Sequence, residues 1–289
     1  MSVNDRIMLT GKVAVVTGGG GGIGRAIALR MAEHGADVVI GEIIPERAEE
    51  TADQVRARGR RALPVVMDAM DTDQVRDMIA QADAEFGRVD ILVNNAGGVS
   101  SRNFLEQSER SWRRHIDINL VSMMAAIHAA APIMIRDGRG GSIINVTSIE
   151  ASRAAPTFAV YAACKAGMES FAKTMALELS QHNIRVNCIA PDHTVSPGTM
   201  GNRSGAVDPS TWRQRSTDEV DAMNRLIPLL REGVDMECGD LAVFLSSEMS
   251  SYITGISIPI DGGTHAAFGW VRDPDHKWTL QQGLKFGLG

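Results

Sequence analysis

The feature that most restricts the fold is an alternation repeated along the chain. Short runs rich in Val and Ile are separated by longer segments whose apolar residues recur with helical period. Such a pattern packs as a parallel sheet with crossover helices, because a strand that must run parallel to its neighbour needs a helix's length of chain to return. The runs are "KVAVVT" (12–17), "ADVVIGE" (36–42), "RALPVVMD" (61–68), "VDILVNNAG" (89–97), "GSIINVTS" (141–148) and "IRVNCIAP" (184–191), with "GISIPIDGG" (255–263) as a seventh. Pro259 lacks the N–H that a central strand donates, so the seventh belongs at a sheet edge. The helix from about Gly22 to His34 stops at Gly35, a residue suited to the left-handed position after a helix. No composition break divides the 289 residues. The expectation is one α/β catalytic domain over residues 1–263, in which residues 193–230 interrupt the alternation as a mobile substrate lid, and a tail over 264–289.

The first run leads into "TGGGGGIG" (17–24). Five consecutive glycines satisfy three nucleotide-loop registers at once: Gly19, Gly21 and Gly24, or Gly18, Gly21 and Gly24, or Gly18, Gly22 and Gly24. Each serves the same physics, a tight strand-to-helix turn that lets backbone N–H groups and a helix N-terminus approach a pyrophosphate. A nucleoside-triphosphate loop fits less well, since Arg25 and Ala26 stand where Lys and Ser/Thr must reach phosphate and magnesium. Glu42 ends the second run eighteen residues beyond Gly24. That is where a dinucleotide fold sets a carboxylate on the adenosine ribose hydroxyls, and a carboxylate there repels a 2′-phosphate. NAD is therefore favoured over NADP, with Arg47 one helical turn on as the group that keeps dual use open.

The net charge of −6, without a long Lys/Arg run, argues against a nucleic-acid partner and for a small molecule. The N-terminus lacks the apolar core of a signal peptide, and "MMAAIHAAAPIMI" (123–135) is interrupted by His128 and Pro132 and is short for a membrane span. The expectation is a cytoplasmic protein without a membrane partner. Cys164, Cys188 and Cys238 are too scattered for a disulfide framework and are read as buried thiols; the seven histidines show no metal-ligand spacing, so no metal site is assigned.

"YAACK" sets Tyr161 and Lys165 four residues apart, on one face of a helix, with Ser148 at the end of the strand before it. A phenol of pKa near 10 is a poor base at neutral pH. A nearby ammonium favours the phenolate, and a fall of roughly three units takes about 4 kcal/mol of differential stabilisation. Such a Tyr takes the proton of a secondary alcohol as hydride leaves, or returns it to the carbonyl oxygen. Ser148, if it reaches the same point, donates a hydrogen bond to the substrate oxygen.

With these motifs in order, the chain from about Leu9 to Gly263 resembles the short-chain dehydrogenase/reductase family. The resemblance implies a Rossmann-type doubly wound domain with a seven-stranded parallel sheet and helices on both faces. It selects the T-G-x-x-x-G-x-G register, so that Gly18, Gly22, Ile23 and Gly24 line the dinucleotide, and leaves Gly19, Gly20 and Gly21 as a permissive spacer. It implies that Asp68 contacts adenine and that Asn95, Ala96 and Gly97 of the N-N-A-G stretch (94–97) line the cofactor. Asn119 joins Ser148, Tyr161 and Lys165 as a catalytic tetrad, with Lys165 also on the nicotinamide ribose and Asn119 holding a water that links it to solvent. The family's usual Pro-Gly after the sixth strand is here Pro191-Asp192. Ser196, or Thr194 in its place, falls where a hydroxyl meets the nicotinamide carboxamide. Asp192 and His193 are either determinants of substrate polarity or a solvated turn pair.

Two further segments carry weaker signals. "SWRRHID" (111–117) reads as a docking patch for an acyl carrier or as the solvated face of an interface helix, and the tail, with Phe268, Trp270, Trp278 and Phe286, as packing on a neighbouring subunit or as a strap on its own. The function expected is an NAD(H)-dependent oxidoreductase interconverting a secondary alcohol and a ketone. The alternatives are a 3-oxoacyl thioester reductase and a catalytically silent dinucleotide sensor. The resemblance implies a homotetramer or homodimer.

Overall fold

A computed structural model describes residues 2–280 except 137 and 203. Helix α1 (Val3–Ile7) precedes β1 (Val13–Thr17), α2 (Gly22–Glu33), β2 (Asp37–Glu42), α3 (Pro45–Arg56), β3 (Ala62–Val66), α4 (Thr72–Phe86) and β4 (Ile91–Asn94). Then come α5 (Glu109–Ile116), α6 (Ser122–Arg136), β5 (Gly141–Val146), α7 (Ala159–Glu178) and β6 (Ile184–Pro191). The C-terminal part holds β7 (Thr194–Val195), α8 (Thr217–Leu226), β8 (Gly233–Val234), α9 (Asp235–Ser246), β9 (Ser257–Ile260), α10 (Thr264–Ala267), β10 (Val271–Arg272) and β11 (Trp278–Thr279). Seven strands form one parallel sheet in the order β3-β2-β1-β4-β5-β6-β9.

The strands read as unbroken apolar runs because both faces are covered. In β1, Val13 and Val15 enter a cluster with Val75, Met78 and Ile79 of α4, Met123 and Ala126 of α6 and Met168 and Ala172 of α7. Ala14 and Val16 point the other way, into a cluster with Ile27 and Met31 of α2, Ala52 and Val55 of α3 and Ala242 and Val243 of α9. Pro259 lies on the edge strand β9, and the opposite edge strand β3 carries Pro64, so each proline sits where the ladder needs fewest N–H donors. Gly35 follows α2 with φ +97°, as its position after the helix requires. Strand order reverses between β1 and β4, which opens a crevice at their carboxyl ends beside the glycine loop.

Two expectations change, and one unforeseen feature joins them. Pro132 and His128 do not interrupt the apolar stretch. Residues Glu109–Arg136 form one 28-residue helical run, long and apolar enough to match a membrane span by those measures, and half of its most apolar window is buried in the protein. Pro132 removes one helical hydrogen bond and crowds the carbonyl one turn back, and the packing of α6 on α4 and the sheet offsets that cost. The residues between α5 and α6, Asp117–Val121, widen into a π turn centred on Asn119, a local insertion characteristic of functional positions. The stretch 193–230 is not irregular throughout: β7 pairs with β8, and α8 begins with a Ser216–Glu219 capping box.

Candidate active site

The glycine loop takes its shape from strain that only glycine tolerates. Gly18 and Gly22 sit at φ +63° and +51°, and a Cβ on Gly24 would lie 2.1 Å from the Gly18 carbonyl oxygen. The Asn95 side-chain amide donates to the carbonyls of Thr17 (3.1 Å) and Gly18 (3.0 Å), and the Thr17 hydroxyl accepts from the N–H groups of Asn95 and Ala96, each at 3.0 Å. These bonds tie the end of β4 to the turn after β1. Gly21 precedes helix α2 as its N-cap, and no side chain caps the helix's first N–H groups. A cradle lined by glycine backbone beneath uncapped donors fits a pyrophosphate.

The spacer is not permissive throughout. A Cβ on Gly20 would come within 2.6 Å of Glu42 Cγ and 2.7 Å of Arg47 Cβ, whereas Gly21 has ordinary room. Gly20 is confined because its N–H donates to Glu42 Oε2 (3.1 Å), while Glu42 Oε1 accepts from Ile43 (3.0 Å) and Ile44 (3.1 Å). Glu42 is thus buried, and its carboxylate is oriented by three backbone donors. The basic groups nearby are engaged. Arg25 pairs with Glu50 at 2.5 Å, and Arg47 donates to the carbonyls of Gly205 (2.6 Å) and Asn202 (2.9 Å). Asp68, just past β3, accepts from the Met70 N–H at 2.8 Å.

Asn119, Ser148, Tyr161 and Lys165 come together at the carboxyl ends of β4 and β5. Asn119 is buried in the π turn, where its amide donates to the carbonyls of Gly98 (2.8 Å) and His115 (3.0 Å) and its oxygen accepts from the Gly98 N–H (3.2 Å). A Cβ on Gly97 would lie 2.9 Å from Asn119 Oδ1 and 3.6 Å from Lys165 Nζ, so the N-N-A-G turn runs between those two side chains. Lys165 is buried and donates to the Val146 carbonyl at 2.8 Å; burial lowers its pKa to about 8. Ser148 caps a short turn by accepting from the Glu150 N–H at 3.2 Å and interacts with the Tyr161 hydroxyl.

The expected lowering of the Tyr161 pKa does not hold for the protein alone. Burial raises it, the Ser148 hydrogen bond opposes that, and the charges of Glu150 and Asp192 add to the rise. The Lys165 ammonium lies over the Tyr161 ring, 5.6 Å from its centre. Desolvation therefore outweighs the Ser148 hydrogen bond, and the phenol is the resting form at neutral pH.

At the mouth, Asp192 is far from a solvated turn residue. Its Oδ2 lies 3.2 Å from His193 Nε2 and 3.4 Å from Arg153, which also holds Glu150 at 2.8 Å. Burial raises the Asp192 pKa against the opposing influence of His193 and Arg153. The left-handed conformation expected of a glycine falls one residue later, on His193 at φ +39°. Thr194 donates to the Asp192 carbonyl (3.1 Å), Ser196 hydrogen-bonds Thr199, and Pro191 closes β6 opposite Ile260. In "SWRRHID", Arg113 pairs with Glu109 on the exposed face while His115 turns inward, its ring 3.2 Å from Ser100. All three cysteines are buried thiols. Arg203 and Phe286 lie outside the described residues. Sequence reasoning missed Glu150 and Gly20; for Gly20 the only signal was an unbroken glycine run longer than any one register needs.

The short chain dehydrogenase family pattern matches residues 12–206. The oxidoreductase UcpA of Salmonella typhimurium is 38% identical over 261 residues, covering 89% of this chain and 95% of its own. The 2-dehydro-3-deoxy-D-gluconate 5-dehydrogenase of Escherichia coli is 38% identical over 255 residues, 88% of this chain and 96% of its own. Among solved structures, carveol dehydrogenase from Mycobacterium avium in complex with NAD superposes with a TM-score of 0.80 at 30% identity, covering 89% of this chain and 98% of its own. A gluconate 5-dehydrogenase from Burkholderia cenocepacia in complex with NADP and tartrate gives 0.80 at 31%, covering 92% and 100%.

This chain is a short-chain dehydrogenase/reductase. It is an oxidoreductase that acts on CH–OH groups of small molecules with a nicotinamide cofactor.

Proposed function

We propose that the protein is an NAD(H)-dependent dehydrogenase that interconverts a secondary alcohol and a ketone, with Tyr161 as general acid and base. The observation that carries this reading is the convergence of Ser148, Tyr161, Lys165 and Asn119 beside the glycine loop. Tyr161, resting as the phenol, donates its proton to a carbonyl oxygen held by the Ser148 hydroxyl and accepts it back from an alcohol. Lys165, buried under the Tyr161 ring, contributes positive charge that favours the phenolate when the proton leaves the alcohol. Asn119 braces the turn at Gly97 and Gly98 against which Lys165 lies. When bound, the nicotinamide ring supplies the hydride acceptor or donor. Gly18, Gly22, Ile23 and Gly24 would hold the pyrophosphate, Glu42 the adenosine ribose, and Asp68 and Asn95 to Gly97 the flanks.

NAD is supported over NADP by Glu42 together with its surroundings. A 2′-phosphate would meet a buried carboxylate, and both Arg25 and Arg47 already serve other acceptors. A charged mouth built from Glu150, Arg153, Asp192 and His193 suits a polar, hydroxylated substrate better than the acyl chain of a thioester. Residues 193–230 act as the lid in this reading, and assembly into two or four copies belongs to the same proposal. The test is NADH formation across sugar acids, polyols, cyclic alcohols, hydroxysteroids and 3-hydroxyacyl thioesters, with NADP in parallel. Turnover of a polar secondary alcohol with NAD supports the proposal; turnover confined to NADP or to thioesters overturns it.

A further inference from the structure

Arg47 stands on the first turn of α3, beside Glu42 and over Gly20, and is only 8% exposed. A guanidinium so placed would ordinarily be satisfied by a carboxylate. Here Nε donates to the Gly205 carbonyl at 2.6 Å and Nη2 to the Asn202 carbonyl at 2.9 Å, both more than 150 residues away in the lid. The lid is shaped to present those two carbonyls. The Asn202 side chain binds the residues that follow it, its amide donating to the carbonyls of Ser204 (3.2 Å) and Ala206 (3.3 Å) and its oxygen accepting from the Asp208 N–H (3.0 Å). Gly205 at φ +65° lets the turn close.

The same segment crosses the glycine loop. The Ser196 Cβ would lie 3.0 Å from a Cβ on Gly22, and Val207 Cγ2 3.9 Å from one on Gly21. The lid therefore spans from the start of α2 to the adenosine end of the cleft, and Arg47 is its far anchor. We propose that Arg47 is the positioning residue that latches the substrate lid over the coenzyme cleft, so that lid opening and coenzyme release share one rupture event. The proposal rests on the NAD reading of the cleft only for its release step. Two charge-assisted hydrogen bonds from one planar fork make the latch, a geometry that a lysine ammonium reproduces in part.

The test is hydrogen–deuterium exchange of the full chain without coenzyme, for wild type, Arg47→Met and Arg47→Lys, followed by NADH release in stopped flow and steady-state kinetics. In Arg47→Met, peptides covering 199–209 take up deuterium several-fold faster at short times while peptides from β1 and β4 are unchanged, and Arg47→Lys falls between. NADH leaves about tenfold faster, and KM for the coenzyme rises more than kcat falls. Lid exchange equal to wild type overturns the latch, and so does faster exchange spread evenly over the domain, which marks Arg47 as a general packing residue. A protein that binds no NADH refutes the NAD reading while the exchange measurement still decides the latch.

Discussion

Replacing Lys165 by Met should make the enzyme more stable at neutral pH. Lys165 is buried, and burial lowers its pKa from an ordinary 10.5 to about 8. At 1.36 kcal/mol per pH unit, that gap means the folded state carries the ammonium at a cost of about 3 kcal/mol. The variant removes this cost but leaves the Val146 carbonyl short of one donor, worth about 1 kcal/mol. The net gain at pH 7 is about 2 kcal/mol, or roughly 4 °C in Tm for a chain of this size. The pH dependence isolates the cause. A group whose pKa is depressed on folding is protonated in both states below pH 8. Between about pH 8 and 10.5 the unfolded chain holds a proton that the folded one lacks, so wild-type stability rises with pH there. Lys165→Met has no such rise, and its advantage should shrink across that window. Urea denaturation of both proteins at pH 7, 9 and 10.5 reads this directly. A variant less stable than wild type at pH 7, or a difference that does not change with pH, would refute the argument.

Three other perturbations follow from the same geometry. Gly20→Ala forces a Cβ against Glu42 and Arg47, and fluorescence titration should find NADH binding about tenfold weaker in a folded protein. Asp192→Gly removes the carboxylate shared by Arg153 and His193, and the substrate panel should shift away from polyhydroxylated alcohols; an unchanged ranking would show that the pair does not read substrate polarity. A chain ended after Phe268 loses the β10–β11 hairpin, in which Arg272 stacks 4.3 Å over Trp278 and β10 packs on α8. Its substrate KM should rise with its oligomeric state intact, whereas loss of oligomers in light scattering would put the tail on a neighbouring subunit instead.

What could be read from the sequence follows from how local the signals are. The seven strands, their parallel packing and the edge position of Pro259 rest on periodicity and backbone chemistry, which act within a few residues. The convergence of Asn119, Ser148, Tyr161 and Lys165 was legible through family resemblance, since their spacing alone says little. The hydrogen bonds from Arg47 to Asn202 and Gly205 were not legible, because the partners are backbone carbonyls that any residue carries. Gly20 escaped for a related reason: its constraint comes from the side chains of Glu42 and Arg47, brought in by another strand and helix. The Tyr161 pKa was misjudged because its direction depends on how deeply the side chain is buried and on the charges of Glu150 and Asp192 near it, which a four-residue spacing does not fix. Pro132 misled for the opposite reason, a local rule overridden by packing on the sheet.

The central claim is that Tyr161 moves the proton while an intact cleft holds NAD. Turnover and NADH affinity of Tyr161→Phe, measured with the best alcohol from the substrate panel, test it most directly. kcat should fall about 10²- to 10⁴-fold with NADH binding close to wild type, whereas turnover near the wild-type value would show that another group moves the proton.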